Sequence, residues 1–500
     1  MNRPLTELGL FAGFFLLASG MYLWLGSPSA SAQLLQALHV GVGLLLLVPM
    51  VVATIGHVRI RLRTRPDSMD TMAWLCAALL VATGLSGLAL FAGGLRWYGA
   101  ISHVALMHLI AGLALAPVIA LHIFLALRKQ AGGNRKAEYQ SRRYMPVVIG
   151  TVALVAIAVA CGTWLDSQAE GSPRAAQGSG DSLALPSHGS SPDPRHSDAL
   201  TASLVEPAPV RVKGGQLLDR SILSGSVACK SCHPAIYEQW SQSMHRHSAN
   251  DEHVVTGIQW FRRDNGVEAA RFCVACHDPI SLLAGDFDPD YLGSNEARAP
   301  HDEGVSCLVC HSIDSVHEPL GNGSFRIDPP ARALFGAGVL SDAMLRMDGR
   351  GHSASMLRPG LHDTARFCGA CHQSILPESD QPAKRSDLDH QYPEWLASHY
   401  SDPANEEFAT CQDCHMPLVD AVDPAATDGK VRSHRFPGAN HAHAVKMGYD
   451  EQAEATLSLL RGGVSMSIDV PQRQERPGYV RIDVRVDNHK VGHHFPSGTT

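Results

Sequence analysis

Within residues 1–165 apolar positions run without a charged residue five times: Leu8 to Gly26, Leu34 to Gly56, Met72 to Leu95, Ala100 to Leu127 and Met145 to Leu165. Each run is long enough to cross a hydrocarbon core of about 30 Å as a helix. The pattern predicts a five-helix transmembrane bundle. Buried helices of a soluble core would need no order in the flanking charges, and these flanks are ordered. The loop after the second run carries Arg59, Arg61, Arg63 and Arg65, and that after the fourth carries Arg128, Lys129, Arg135, Lys136, Arg142 and Arg143, whereas the other two loops offer only Arg96. Basic loops stay on the cytoplasmic side. The N-terminus is therefore expected in the cytoplasm, and everything beyond Leu165 outside a bacterial inner membrane, in the periplasm.

From Asp166 to about Gly215 the chain turns to Ser, Gly, Pro and Ala with no apolar period, which predicts a flexible tether over 166–215. Residues 216–450 read as loops and short helices with internal echoes. Ala270-Arg-Phe-Cys-Val-Ala-Cys-His277 recurs as Ala365-Arg-Phe-Cys-Gly-Ala-Cys-His372, and Tyr237-x-x-Trp240-x-x-Ser243 recurs as Tyr392-x-x-Trp395-x-x-Ser398. In residues 451–500 the period becomes two: Val464, Met466, Ile468 and Val470, then Val480, Ile482, Val484 and Val486. Two half-buried strands follow, the start of a β-rich domain. The fold class is thus mainly α, with a transmembrane bundle, a loop-rich helical module and terminal strands.

Charge separates the same regions. Residues 1–165 hold 12 Lys and Arg against 4 Asp and Glu, although the whole chain has a net charge of −7, so the second part is acidic. An acidic outer part argues against a nucleic-acid partner. Of the 12 cysteines only Cys76 and Cys161 lie in the apolar region, where they read as small inert hydrophobes.

The other cysteines form five Cys-x-x-Cys-His segments: Cys229/Cys232/His233, Cys273/Cys276/His277, Cys307/Cys310/His311, Cys368/Cys371/His372 and Cys411/Cys414/His415. Two thiols at this spacing add to the two vinyl groups of a haem, and the adjacent His ligates its iron. Zinc ribbons use Cys-x-x-Cys pairs too but need no His directly after them. Five covalently bound haem c groups are therefore expected, with haem iron the only metal. The topology agrees, since every segment falls on the outer side, where such attachment takes place.

A sixth ligand can come from anywhere in the chain, and the many remaining outer histidines favour bis-His haems over His–Met ones. The candidates are His245, His301, His399, His434, His441 and His493, each weighed against a plain surface imidazole. His188 and His196 lie in the tether and read as solvated.

Cys229-x-x-Cys232-His233-Pro234 followed by Tyr237, Trp240, Ser243 and His245, with Glu303-Gly-Val-Ser-Cys-x-x-Cys-His311 and the terminal Asn488-x-x-Val-Gly-His-His-Phe-Pro-Ser-Gly498, resembles the multihaem c-type cytochromes related to the tetrahaem electron carrier of nitrifying bacteria. The resemblance covers roughly residues 225–500. It implies that His245, the His of the Trp-x-x-Ser-x-His phrase, is a distal ligand. The fifth segment, the membrane region and the strand-rich end depart from the tetrahaem pattern.

Ionisable side chains in a membrane span point to function. His39 and His57 are 18 residues apart on the second run, and His108 and His122 are 14 apart on the fourth, so each pair shares one helix face. The two runs are parallel, which sets His39 against His108 near the outer side and His57 against His122 near the inner side. This frame for two haem b groups resembles the di-haem four-helix cytochromes b of respiratory quinol-oxidising complexes. His103 is an alternative to His108, and Arg96 a partner for a propionate.

Three functions compete. A structural or sensory haem protein merely anchored by its membrane part needs one span, not five with paired histidines. A multihaem oxidoreductase acting on a small nitrogen or sulfur compound such as nitrite, hydroxylamine or tetrathionate needs an open iron, and no Cys-x-x-Cys-Lys variant marks one. The reading favoured is an electron-transfer cytochrome of the quinol-dehydrogenase type, with no catalytic residues assigned. It exchanges electrons between the quinone pool, through the b haems, and a periplasmic or extracellular redox protein, through the c haems, with membrane lipid around its first part. The terminal strands lead to the expectation that the natural chain continues past Thr500 into a β-sandwich, or that they pack on the haem module with His493 or His494 as a distal ligand.

Overall fold

The computed structural model describes residues 3–25, 30–62, 69–95, 101–130, 205–287, 303–318, 320–330, 339–347, 349–378, 381–438, 440–470 and 478–496. Among these the fold is mainly helical with a few short strands. It divides into two compact units, one within Met1–Ser172 and Pro330–Met356, the other within Pro173–Pro329 and Leu357–Thr500.

In the first unit the apolar runs form four helices, α1 (Arg3–Leu25), α2 (Ala30–Leu62), α3 (Met69–Leu95) and α4 (Ile101–Gln130). They close a ring in which α1 touches α2, α2 touches α3, α3 touches α4 and α4 touches α1. Phe15 and Leu35 form its buried centre. Outside, Leu45, Val48, Val52, Leu85, Met107 and Ile110 are exposed. Two stretches, Ala32–Gly56 and Thr71–Ala92, are long and apolar enough to cross a membrane, while the apolar stretches Phe11–Trp24 and His103–Ile119 are shorter. The expected five-helix transmembrane bundle is corrected accordingly: among the described residues two helices have spanning length, within a ring of four. The fifth run, Met145 to Leu165, lies outside the described residues, as do Arg96 and the tether.

Within the sequence stretch 216–450, Pro330 and the described residues of 339–356 group with the first unit. The helix Val339–Met347 lies along α3, and the buried Gln36 of α2 donates from Nε2 to the Met344 carbonyl at 2.9 Å. Ala343 and Met344 are its buried face. A short apolar face of this kind gains stability only by covering another one.

The second unit is organised by a three-stranded sheet in the order β1 (Arg211–Val212), β3 (Phe325–Ile327), β2 (Ile313–Val316). Val210, Val212, Phe325 and Ile327 pack there with Leu223, Val274, Ile280, Leu283, Phe287 and Val309 in one core. The second, third and fourth Cys-x-x-Cys-His segments contribute to that core through Val274, Val309 and Ala370, and four of the five segments involve short helices, Val267–His277, Cys307–Ser312, Ala365–Gly369 and Cys411–His415.

Residues 450–463 form a helix, Asp450–Gly463, where the β-rich end was expected to begin. Asp450 and Glu451 in its first turn favour it through the helix dipole. The strands follow as Val464–Asp469 and Asp483–Asn488, paired antiparallel with Met466 opposite Val486 and Ile468 opposite Val484. The second is shorter than the alternation from Val480 predicts, and the expected buried face is exposed along both.

Candidate functional site

The two echoed Trp segments have the same local architecture. Trp240 donates from Nε1 to the Val305 carbonyl at 2.9 Å, two residues before Cys307, and Trp395 donates to the Ala409 carbonyl at 2.9 Å, two residues before Cys411. Ser243 and Ser398 each bind back to the carbonyl of their own Trp, at 2.8 and 2.7 Å. Ser306 and Thr410 then open the helices of the next segments, each as N-cap. A Tyr-x-x-Trp-x-x-Ser phrase thus fixes the approach of a later Cys-x-x-Cys-His segment, twice.

The thiols follow the same rule. The Cys229 thiol neighbours that of Cys307, Cys368 that of Cys411, and Cys276 that of Cys371. The described cysteines are all free. Burial pushes the Cys273 thiol up to about 11 and the Cys310 thiol up to about 12. Zinc sites need thiolates, and burial favours neutral sulfur at Cys273 and Cys310, whereas the neighbouring Cys229 and Cys368 thiols lower Cys307 and Cys411. Among the described residues no group of three or more His, Cys, Asp or Glu side chains is arranged to hold a metal ion.

Two imidazoles bound through nitrogen to opposite faces of one iron, each at about 2 Å with roughly 1 Å more to its ring centre, stand about 6 Å apart. Three of the adjacent histidines meet another imidazole at that spacing. His372 faces His245 at 6.1 Å between ring centres, His311 faces His434 at 6.3 Å, and His415 faces His493 at 6.3 Å. The last two pairs are nearly parallel, at 21° and 10°, whereas the first is near perpendicular at 78°. These residues fit a haem between each pair.

The second ring nitrogens are held as iron ligands require. Nδ1 of His415 lies 2.7 Å from the Pro437 carbonyl, that of His434 2.9 Å from the Arg432 carbonyl, and that of His493 2.9 Å from the His494 carbonyl. An acceptor there keeps the proton on Nδ1 and the lone pair on Nε2. Burial, then the neighbouring His372, pushes His245 down to about 3, and burial with His311 pushes His434 down to about 4, so both are neutral. His245 is carried by a close backbone contact: Val305 N–H donates to its carbonyl at 2.9 Å, and Gly304, at φ +57, stands where a Cβ would come within 2.6 Å of that oxygen.

His233 has a carboxylate instead of a carbonyl. Its Nδ1 is 2.8 Å from Asp423 Oδ1, and the Asp423 side chain is fully buried. His277 is tied through its carbonyl, which accepts from Ser248 Oγ at 2.8 Å.

The other candidates are placed differently. His399 is half exposed, with Nε2 3.2 Å from Glu407. In the second Trp phrase Tyr400, not His399, occupies the position of His245. His441 opens the helix His441–Met447, but His443 is the residue built like a ligand there: Nδ1 is 3.2 Å from Asp251 and Nε2 is buried with no hydrogen-bond partner. His443 carries no mark in the sequence, since the Asp251 contact alone separates it from His441. His494 pairs with Glu394 at 2.7 Å. His301 lies outside the described residues.

In the first unit His39 and His108 face each other at 6.2 Å and 82°. His103 is exposed and Cys76 buried. His122 is half-buried on α4, while the side chain of His57 lies outside the described residues.

Residues 228–312 match the family described as Cytochrome c554 and c-prime. That stretch spans the first three Cys-x-x-Cys-His segments and supports a relation to c-type cytochromes. No curated protein and no solved structure matches the chain.

Proposed function

We propose that this chain is a membrane-bound electron-transfer protein that links the quinone pool to an extracytoplasmic redox partner through b-type and c-type haems. The observation that carries the reading is the recurrence of imidazole pairs about 6 Å apart, one in the first unit and three in the second. Bound haem supplies one-electron iron chemistry. The chain supplies the rest. His372 with His245, His311 with His434 and His415 with His493 would hold iron from two sides, the thiols would bind each haem covalently, and the Nδ1 acceptors of His415, His434 and His493 keep those rings in the ligating tautomer.

The membrane reading is supported by the exposed Leu and Val side chains of α2 and α3 and by two stretches of spanning length. Five c haems follow from the five segments. We assign one b haem to His39 and His108, which face each other at 6.2 Å, and on sequence spacing a second to His57 and His122. The carrier is proposed for the bacterial inner membrane, with its second unit in the periplasm.

The test uses the full-length protein in membrane vesicles. A quinol analogue is expected to reduce the c haems, and His39→Ala is expected to abolish that reduction while dithionite still reduces them. Equal rates with and without His39 would remove the quinone from the reading.

A further inference from the structure

The four helices of the first unit carry an internal duplication. Ser19-Gly20-Met21-Tyr22-Leu23-Trp24-Leu25-Gly26, which runs from α1 into the following turn, corresponds to Ser86-Gly87-Leu88-Ala89-Leu90-Phe91-Ala92-Gly93 on α3 at the Ser, both Gly, one Leu and an aromatic position. On the partner helices a Gly follows each His by four residues, Gly43 after His39 and Gly112 after His108. Each hairpin therefore presents Ser-Gly on its first helix and His on its second.

The geometry repeats as well. Ser19 Oγ donates to the Phe15 carbonyl at 2.7 Å, which commits its proton, and lies 2.8 Å from His39 Nδ1. Ser86 Oγ donates to the Ala82 carbonyl at 2.7 Å and lies 3.1 Å from His108 Nδ1. In both cases the hydroxyl oxygen accepts from Nδ1, so the lone pair falls on Nε2. The glycine after each serine makes room for the ring: a Cβ on Gly20 would lie 3.3 Å from His39 Cε1, and one on Gly87 3.0 Å from His108 Cε1. With His39 matched to His108, His57 corresponds to Ala126 and His122 to Ala53, so the inner histidines fall outside the repeat.

We propose that the duplicated hairpin forms a single pseudo-symmetric bis-imidazole haem site, in which Ser19 and Ser86 are equivalent positioning residues. This rests on the b-haem reading above. The two halves differ in one respect that makes the idea testable. His108 Nδ1 also reaches the Thr83 carbonyl at 3.1 Å, so it keeps an acceptor when Ser86 is lost, whereas among the described residues Ser19 is the acceptor of His39 Nδ1.

The experiment is a redox titration of the b-haem absorbance of the full-length protein in detergent, with EPR of the oxidised form. Near-perpendicular rings, at 82°, should give a low-spin signal with one large g value. Losing an Nδ1 acceptor weakens donation to ferric iron, so Ser19→Ala should raise the midpoint potential, and Ser86→Ala should raise it less. Gly87→Ala should move the EPR signal further than Gly20→Ala, because its contact is tighter. Full haem content with unchanged potential and EPR in both serine variants overturns the positioning role while leaving the b-haem reading intact. No extractable haem in the unaltered protein overturns both.

Discussion

The imidazole pairs of the two units have nearly the same separation but are built by opposite means. In the first unit His39 and His108 come from the middle of long helices, and their Nδ1 atoms are held by hydroxyls of neighbouring helices. In the second unit the partners come from short helices and loops, and the acceptors are backbone carbonyls or carboxylates. The difference follows from the surroundings. In a long helix most backbone carbonyls are already bonded along the helix, so a hydroxyl serves both His39 and His108, and His108 alone of the two also reaches a carbonyl, that of Thr83 at 3.1 Å. Short helices and irregular backbone leave more carbonyls to spare.

The largest effect that would sharpen this contrast is loss of a distal ligand in the second unit. His493→Ala is expected to convert one low-spin c haem to high spin in the absorbance and EPR spectra, with the covalent haem content unchanged by mass spectrometry. His399→Ala, bearing on a ring turned to Glu407, is expected to leave the spectrum as it was. A reversed result would mean that ring spacing does not identify the ligands.

A smaller effect is expected from Asp423→Asn. The buried carboxylate on His233 Nδ1 gives that imidazole more anionic character than a carbonyl gives His415. A charged hydrogen bond is worth about 1.5 kcal/mol, or roughly 60 mV for one electron, so the midpoint of one c haem should rise by that order. Potentiometry that finds all midpoints unmoved would show that the acceptor's charge does not matter here.

Smallest is the loss of an indole hydrogen bond. Trp240→Phe and Trp395→Phe each remove one bond to a carbonyl near the next segment, at about 1 kcal/mol. Trp240 is buried and Trp395 only partly so, which predicts the larger drop in thermal midpoint for Trp240→Phe. Equal drops would imply that burial adds nothing to the bond.

Much of the chemistry was legible in contiguous residues. The five Cys-x-x-Cys-His segments, the apolar runs and the echoed Trp phrases are local patterns, because covalent attachment, helix propagation and a tight turn each need residues close along the chain. His245 was also marked, by its place after Trp240 and Ser243. What no local pattern could supply was the partner of each ring. His434 and His493 stand opposite His311 and His415 because loops far apart in sequence fold together. His443 is distinguished from His441 only by Asp251, and Asp423 meets His233 across much of the second unit. The helix Val339–Met347 packs on α3 although it lies between haem-binding segments in the chain. Long-range pairing leaves no period in sequence, since it is decided by which buried surfaces and unspent hydrogen-bond acceptors find each other once the local elements have formed.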